Sequence, residues 1–201
     1  MRKLLVATGN SHKTLEIGGI LGSDYMVSDL SSHPGLPVVE ETGTTFLENA
    51  TLKAVAISKR VEGLVLSDDS GLEVDALDGE PGVYSARYAG ESGNDAANNA
   101  KLMQAMEGKV ERAARFRCVI VIAKEGQVLA NFDGFVEGHI IGELRGDRGF
   151  GYDPLFVPEG YEQTFAELGA DIKNQLSHRA RAMKKVAGWL AEHVGQESEL
   201  I

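Results

Sequence analysis

The sequence predicts an α/β fold in which a mixed, twisted β-sheet is flanked by helices, and three observations predict it. Residues 64–67, LVLS, make an apolar strand that runs straight into Asp68 and Asp69. Residues 116–123 make a second apolar strand, which Glu125-Gly126 turns back into 128–132 as an antiparallel partner. Around these strands lie segments with helical periodicity and capping signals, so parallel and antiparallel strands are expected in one sheet.

The elements follow in order. Residues 3–7, KLLVA, are a short strand broken by Thr8-Gly9-Asn10. Ser11 can cap a helix running to about residue 21, with Leu15, Ile17, Ile20 and Leu21 for its buried side. Strand, glycine turn and helix start gather backbone N–H groups and Lys13 around one point, which is an anion site. GNSHKT lacks the second glycine and the spacing of a Walker A loop. Residues 31–43 form a loop with Pro34 and Pro37 that leads to Glu40 and Glu41. Thr45 and Glu48 make a capping-box pattern for a helix to about residue 60, with Leu47, Ala50, Ala54 and Ile57 at helical spacing and Lys53 two turns in.

Next comes the strand that carries Asp68 and Asp69 to its carboxyl edge, where open α/β sheets bind ligands, with Ser70-Gly71 as the turn after it. From residue 61 to 86 the chain holds seven acids and no Lys or Arg. Two adjacent carboxylates with no neighbouring cation repel unless one is protonated or both face an ion such as Mg²⁺. A second strand segment and a Pro-Gly turn follow, and Tyr84, Arg87 and Tyr88 read as a packing cluster. Residues 95–107 are helical and stop at Gly108. Residues 145–160 are glycine-rich yet aromatic, so Phe150, Tyr152 and Phe156 suggest a loop that packs on something, a flat ligand being one option. Thr164 and Glu167 cap a short helix ended by Gly169. The last helix shows Leu176, Ala180, Met183, Ala187 and Leu190 on one face, with His178 and Arg179 off that stripe.

Bulk properties narrow the function. The 201 residues fit a single domain, 1–201, with 43% hydrophobic and 25% charged side chains. No apolar run approaches the roughly 20 residues of a membrane helix. The apolar start is too short for a signal peptide, which places the protein in the cytoplasm. Cys118 stands alone, which excludes an internal disulfide and a cysteine zinc site, and it reads as a core residue. A formal charge of −10 argues against a nucleic-acid polymer as partner. A small phosphorylated substrate remains compatible, because residues 173–185 carry five Lys and Arg, His178 and no acid.

Five segments then fall into one pattern: TGNSHK (8–13), EETGTTFLENA (40–50), DDSGLEVDALDGEPGVYSARYAG (68–90), GFGYDPLF (149–156) and AELGADIKNQLSHRARAM (166–183). Together they resemble the inosine triphosphate pyrophosphatase family, the bacterial dITP/XTP pyrophosphatases. The resemblance implies an elongated, homodimeric mixed α/β fold with two lobes around a central cleft, and the use of Mg²⁺. It implies hydrolysis of noncanonical purine nucleoside triphosphates (ITP, dITP, XTP) to monophosphate and pyrophosphate.

Carried over by residue, Thr8, Gly9, Asn10, Ser11, His12 and Lys13 hold the triphosphate with Lys53 nearby, and Ser70 touches the substrate. Asp69 with Glu41 or Glu40 binds the metal, Glu41 being marginally preferred. Asp69 also accepts the proton, with Asp68 beside it as the second catalytic carboxylate. Phe150, Gly151, Tyr152, Asp153, Lys173, His178 and Arg179 form the nucleobase pocket. The rival readings are a Maf-like nucleotide pyrophosphatase with another base preference and a nucleotide-binding regulator without turnover.

Overall fold

A computed structural model describes residues 2–91 and 93–193. Strands β1 (Arg2–Val6), β2 (Tyr25–Asp29), β3 (Val65–Val74), β4 (Ala113–Lys124), β5 (Gln127–Ile140) and β6 (Phe156–Pro158) form one six-stranded sheet in the order β2-β1-β3-β4-β5-β6. β1 is parallel to β2 and β3, while β3 through β6 pair antiparallel, so the sheet is mixed as expected. The helices are α1 (Ser11–Leu21), α2 (Phe46–Ser58), α3 (Asp95–Ala105), α4 (Phe165–Leu168), α5 (Ala170–Leu176) and α6 (His178–His193).

Alternation along the central strands sorts the core into two sides. On β4, Cys118, Ile120 and Ile122 pack with Leu4, Leu66, Met183, Val186 and Leu190 beneath α1 and α6. The intervening Val121 and Ala123 meet Ala50 and Ala54 of α2 on the opposite side. A further cluster around Leu72, Phe116, Phe156 and Phe165 closes the far end of the sheet.

Local signals mostly act as read. Thr45 and Glu48 form a complete capping box on α2, and Thr164 and Glu167 form one on α4. Glu125 (φ 54°) and Gly126 (φ 80°) make the tight turn between β4 and β5. β5, however, extends well beyond the expected 128–132, because β4 offers a pairing partner along its whole length.

Several expectations are corrected. The cap of α1 is Asn10, whose side chain accepts from the His12 N–H, and not Ser11. Leu15 faces solvent, and Ile17 is the fully buried residue of α1. β2, a half-exposed edge strand, has too weak a pattern to be read from sequence. Ser70-Gly71 is no turn: β3 runs unbroken for ten residues, with Asp68 and Asp69 in its middle. The last helix breaks at Ser177, whose extended backbone (ψ 161°) separates α5 from α6, and the buried stripe uses Val186 where Ala187 is exposed.

Candidate active site

β3 pairs with β1 only through Leu66, opposite Val6. Beyond that point β1 turns away into α1, so the next residues of β3 stand on an edge where the parallel partner has stopped. A cleft of about 840 Å³ opens there. Its lining brings together Thr8, Gly9, Asn10, Ser11, Lys13, Glu40, Glu41, Lys53, Asp69, Ser70, Phe150, Gly151, Tyr152, Asp153, Lys173, His178 and Arg179. Two expected site residues are not in that lining, Asp68 and His12.

The neighbouring aspartates do not act as a pair. Alternation on β3 sends their side chains to opposite faces of the sheet, and each meets cations from different helices. Asp68 is fully buried on the α1/α6 side. Its Oδ1 pairs with Lys13, its Oδ2 accepts from Arg179 Nε at 3.0 Å and from the Cys118 thiol at 2.9 Å, and Ser70 Oγ donates to Oδ1 at 3.2 Å. Burial opposes its charge, but Arg179 and Lys13 overcome that and hold the carboxyl well below the usual range. Asp68, expected as the second catalytic carboxylate, thus lies outside the cleft lining and is held by side chains that do line it. Its partners Lys13, Ser70 and Arg179 all line the cleft, and Lys53, which lines it too, donates to the Asp68 carbonyl.

Asp69 points to the α2 side. Lys53, reaching inward from α2, lies 3.3 Å from Asp69 Oδ1, 2.6 Å from Glu41 Oε1 and 2.9 Å from the Asp68 carbonyl. Asp69 Oδ2 is buried and has no hydrogen-bond partner. Burial pushes the Asp69 carboxyl up, helped by the charges of Glu41 and Asp68 against the opposing pull of Lys53 and Lys13. A carboxylate with a free lone-pair face, raised basicity and an opening to a cleft is suited to take a proton or bind a cation.

That orphaned oxygen tests the expected metal site. Asp69 and Glu41 supply hard oxygen donors, and a small divalent cation commonly takes one or two carboxylates, filling its shell from phosphate and water. Among the described residues no cluster of three or more His, Cys, Asp or Glu side chains is placed to hold a metal. Of the two candidate glutamates, Glu41 is half-buried and tied to Lys53 and Arg87, whereas Glu40 is exposed. The residues fit a two-carboxylate site through Asp69 and Glu41.

The far end of the cleft is a second charge network. Lys173 pairs with Asp153 at 2.5 Å and with Glu16 at 2.8 Å, and Arg179 pairs with Glu16 and donates to Ser70 Oγ at 2.9 Å. The Lys173 ammonium sits 4.5 Å from the centroid of the Phe150 ring, a cation–π arrangement. His12 stacks on the same ring at 5.3 Å, nearly parallel. His178 stacks on Phe116 at 4.9 Å, and its Nδ1 is buried without a partner. Burial, reinforced by Arg179 and Lys173, drives its pKa well below the ordinary value, so the ring is neutral. Tyr152 lines the cleft but is largely buried, with its hydroxyl donating to the Ser85 carbonyl at 2.9 Å.

A model of the Ham1 family matches residues 4–189. The chain belongs to the Ham1 family. The dITP/XTP pyrophosphatase of Desulforamulus reducens is 51% identical over 91% of this chain and 92% of its own length. That of Bacillus subtilis is 46% identical, with 93% and 96% covered. The solved structure of the Staphylococcus aureus Ham1 protein superposes with a TM-score of 0.84 at 40% identity, covering 95% of this chain and 99% of its own.

This Ham1 family chain also uses residues that sequence reasoning did not single out for the site. Glu16 joins Lys173 to Arg179, Arg87 joins the loop at Glu41, and Cys118 donates to Asp68. Asp95 accepts from the Gly151 N–H at 2.7 Å and so holds the aromatic loop. Glu16 lay in plain sight three residues after Lys13, but nothing local marks a helical glutamate as a partner for residues near the other end of the chain. No helix among the described residues is long and apolar enough to cross a membrane.

Proposed function

We propose that this chain hydrolyses noncanonical purine nucleoside triphosphates (ITP, dITP and XTP) to the monophosphate and pyrophosphate, with Asp69 as the proton acceptor. The observation that carries it is the buried Asp69 carboxylate, one oxygen on Lys53 and the other without a partner, in the lining of a cleft that also gathers Lys13, Lys53, Arg87, Lys173 and Arg179. The names of the relatives above support the substrate class.

The triphosphate lies against the amino end of α1, where the helix dipole and the backbone of Gly9 to Ser11 favour an anion, with Lys13 and Lys53 alongside. Asp69 orients a water toward the α-phosphorus. The water oxygen bonds phosphorus, the α–β bridging P–O bond breaks with its electron pair leaving on pyrophosphate, and the water proton passes to Asp69. Mg²⁺ held by Asp69 and Glu41 would offset phosphate charge at this centre. Lys13 and Arg179 fix Asp68, which in turn fixes the β3 backbone that presents Asp69.

Base selection falls to the Phe150 end. Hypoxanthine and xanthine carry a carbonyl at position 6 where adenine carries an amino group, so donors from Lys173, His178 or Arg179 pair with the former and oppose the latter. A pocket built on such hydrogen bonds can discriminate by up to about 10⁴-fold. The 2-amino group, absent from both favoured bases, is what excludes guanine. Cytoplasmic location and a homodimeric state, the second implied by the resemblance, are part of this proposal, and light scattering on the purified chain tests the second.

The deciding experiment incubates the protein with ITP, XTP, GTP and ATP plus Mg²⁺ and identifies the products. Monophosphate and pyrophosphate from ITP and XTP, with kcat/KM far above that for ATP and GTP, is the expected result. Diphosphate and phosphate, or equal rates on ITP and ATP, would refute it.

A further inference from the structure

Five cationic side chains line the cleft: Lys13, Lys53, Arg87, Lys173 and Arg179. Four of them are already committed to carboxylates deep in the fold. Lys13 and Arg179 share the fully buried Asp68, Lys173 is clamped by Asp153 and Glu16, and Lys53 sits between Asp69 and Glu41. Arg87 differs. Its side chain is 31% exposed, against 14% for Lys13 and 10% or less for the other three. Its contacts with Glu41 are long, 3.4 Å from Nη1 to Oε2 and 3.3 Å from Nη2 to the backbone carbonyl. Those lengths lie at the weak end of hydrogen bonding.

The backbone beneath Arg87 is firmly held. It closes the short 3₁₀ helix Gly82–Arg87, in which Ser85 Oγ accepts from the Leu72 N–H of β3 at 2.9 Å and donates to the Gly82 carbonyl at 2.6 Å. The Tyr152 hydroxyl donates to the Ser85 carbonyl. A fixed backbone thus carries a guanidinium that lies over the Tyr84 ring, 5.2 Å from its centroid, and reaches Glu41 only through two long contacts. Glu41, meanwhile, has one carboxylate oxygen on Lys53 and the other on Arg87. For Glu41 to turn toward a divalent cation, one of these cations must let go, and the long, half-exposed Arg87 contact is the weaker.

We infer that Arg87 is a substrate-binding residue that exchanges Glu41 for the β- and γ-phosphates and holds the pyrophosphate leaving group. The inference rests on the pyrophosphatase reading above. A guanidinium presents paired N–H donors that match two phosphate oxygens at once, and a donor already placed on the leaving group stabilises the charge that develops there as the bridging bond breaks. Contacts run from Arg179 through Asp68 on β3 to Asp69, and on through Lys53 and Glu41 to Arg87. Arg87 shares Glu41 with Lys53, the lysine placed beside the triphosphate, so a guanidinium that lets go of Glu41 is one carboxylate away from the phosphates.

The test is calorimetric titration of inorganic pyrophosphate and, separately, of inosine monophosphate into wild-type protein, Arg87→Met and Arg87→Lys, each with Mg²⁺, alongside product analysis on ITP. Arg87→Met is expected to weaken pyrophosphate binding by about tenfold or more. Arg87→Lys should recover part of that loss, and the monophosphate affinity and melting temperature should stay at wild-type values. If wild-type protein releases pyrophosphate from ITP while Arg87→Met binds pyrophosphate as tightly as wild type, the Arg87 assignment alone is overturned. Equal loss of both ligands also overturns it, since Arg87 would then be supporting the cleft as a whole. A wild-type protein that releases no pyrophosphate from any triphosphate removes the functional reading and this inference with it.

Discussion

Arg179 and Asp68, 111 residues apart in the chain, meet at 3.0 Å with both side chains buried. Asp69, the next residue along, has one oxygen with no partner at all. Adjacent aspartates thus face opposite sides of the sheet: Asp68 has partners on both oxygens, and Asp69 has one on Lys53 and one with none.

Substitution should separate them. Asp68→Asn leaves Arg179 and Lys13 without their buried counter-charge and is expected to cost about 3–5 kcal/mol of stability, read as a large drop in denaturation midpoint. Asp69→Asn should leave the midpoint close to wild type, because Lys53 keeps Glu41 at 2.6 Å, and should lower kcat by about 10²–10⁴-fold. Near-normal turnover in Asp69→Asn would remove it as the proton acceptor.

The pH–rate profile carries a signed prediction. Burial raises the Asp69 pKa, so the acid limb of kcat/KM should fall at a higher pH than an ordinary aspartate gives. Lys53 is the largest influence lowering that pKa. Lys53→Met should therefore move the acid limb to still higher pH, in addition to any loss in rate. A limb that stays in place would show that some other group titrates.

His178 ties stability to pH. Its folded pKa lies well below the ordinary histidine value of about 6.5, so the unfolded chain takes up a proton there that the folded chain refuses. Its contribution is present above pH ~6.5 and is lost as the pH falls below it, at up to about 1.4 kcal/mol per pH unit. His178→Gln should flatten the fall in unfolding free energy between roughly pH 6.5 and 5. An unchanged slope would contradict a neutral, buried ring.

Gly71 supplies a packing test. A methyl group there would press on the Gly82 carbonyl, Ser85 Oγ and the Phe46 ring. Gly71→Ala is expected to cost about 1–3 kcal/mol, and by pushing the 3₁₀ helix from β3 it should weaken pyrophosphate binding through Arg87. Stability and affinity both at wild-type level would mean that the helix can shift freely.

Much of this protein could be read locally. Capping boxes at Thr45/Glu48 and Thr164/Glu167, the Glu125-Gly126 turn and the apolar runs of β3 and β4 specify their own elements, because each signal and its consequence lie within a few residues. The site segments could likewise be recognised by their order, and most of the residues they name do line one cleft. What sequence could not supply was which side of the sheet each charge faces. That depends on β3 continuing through Gly71 instead of turning, which only the pairing with β4 out to Val74 and Ala114 decides. It depends also on α1 and α6 closing over one face while α2 covers the other. Glu16 and Arg179 stand 163 residues apart, and neither has a local feature that predicts the other. Local patterns thus set the elements, while long-range packing assigned Asp68 to the core and left Asp69 open, because the cost of burying a charge is met only by whichever cations the finished fold brings beside it.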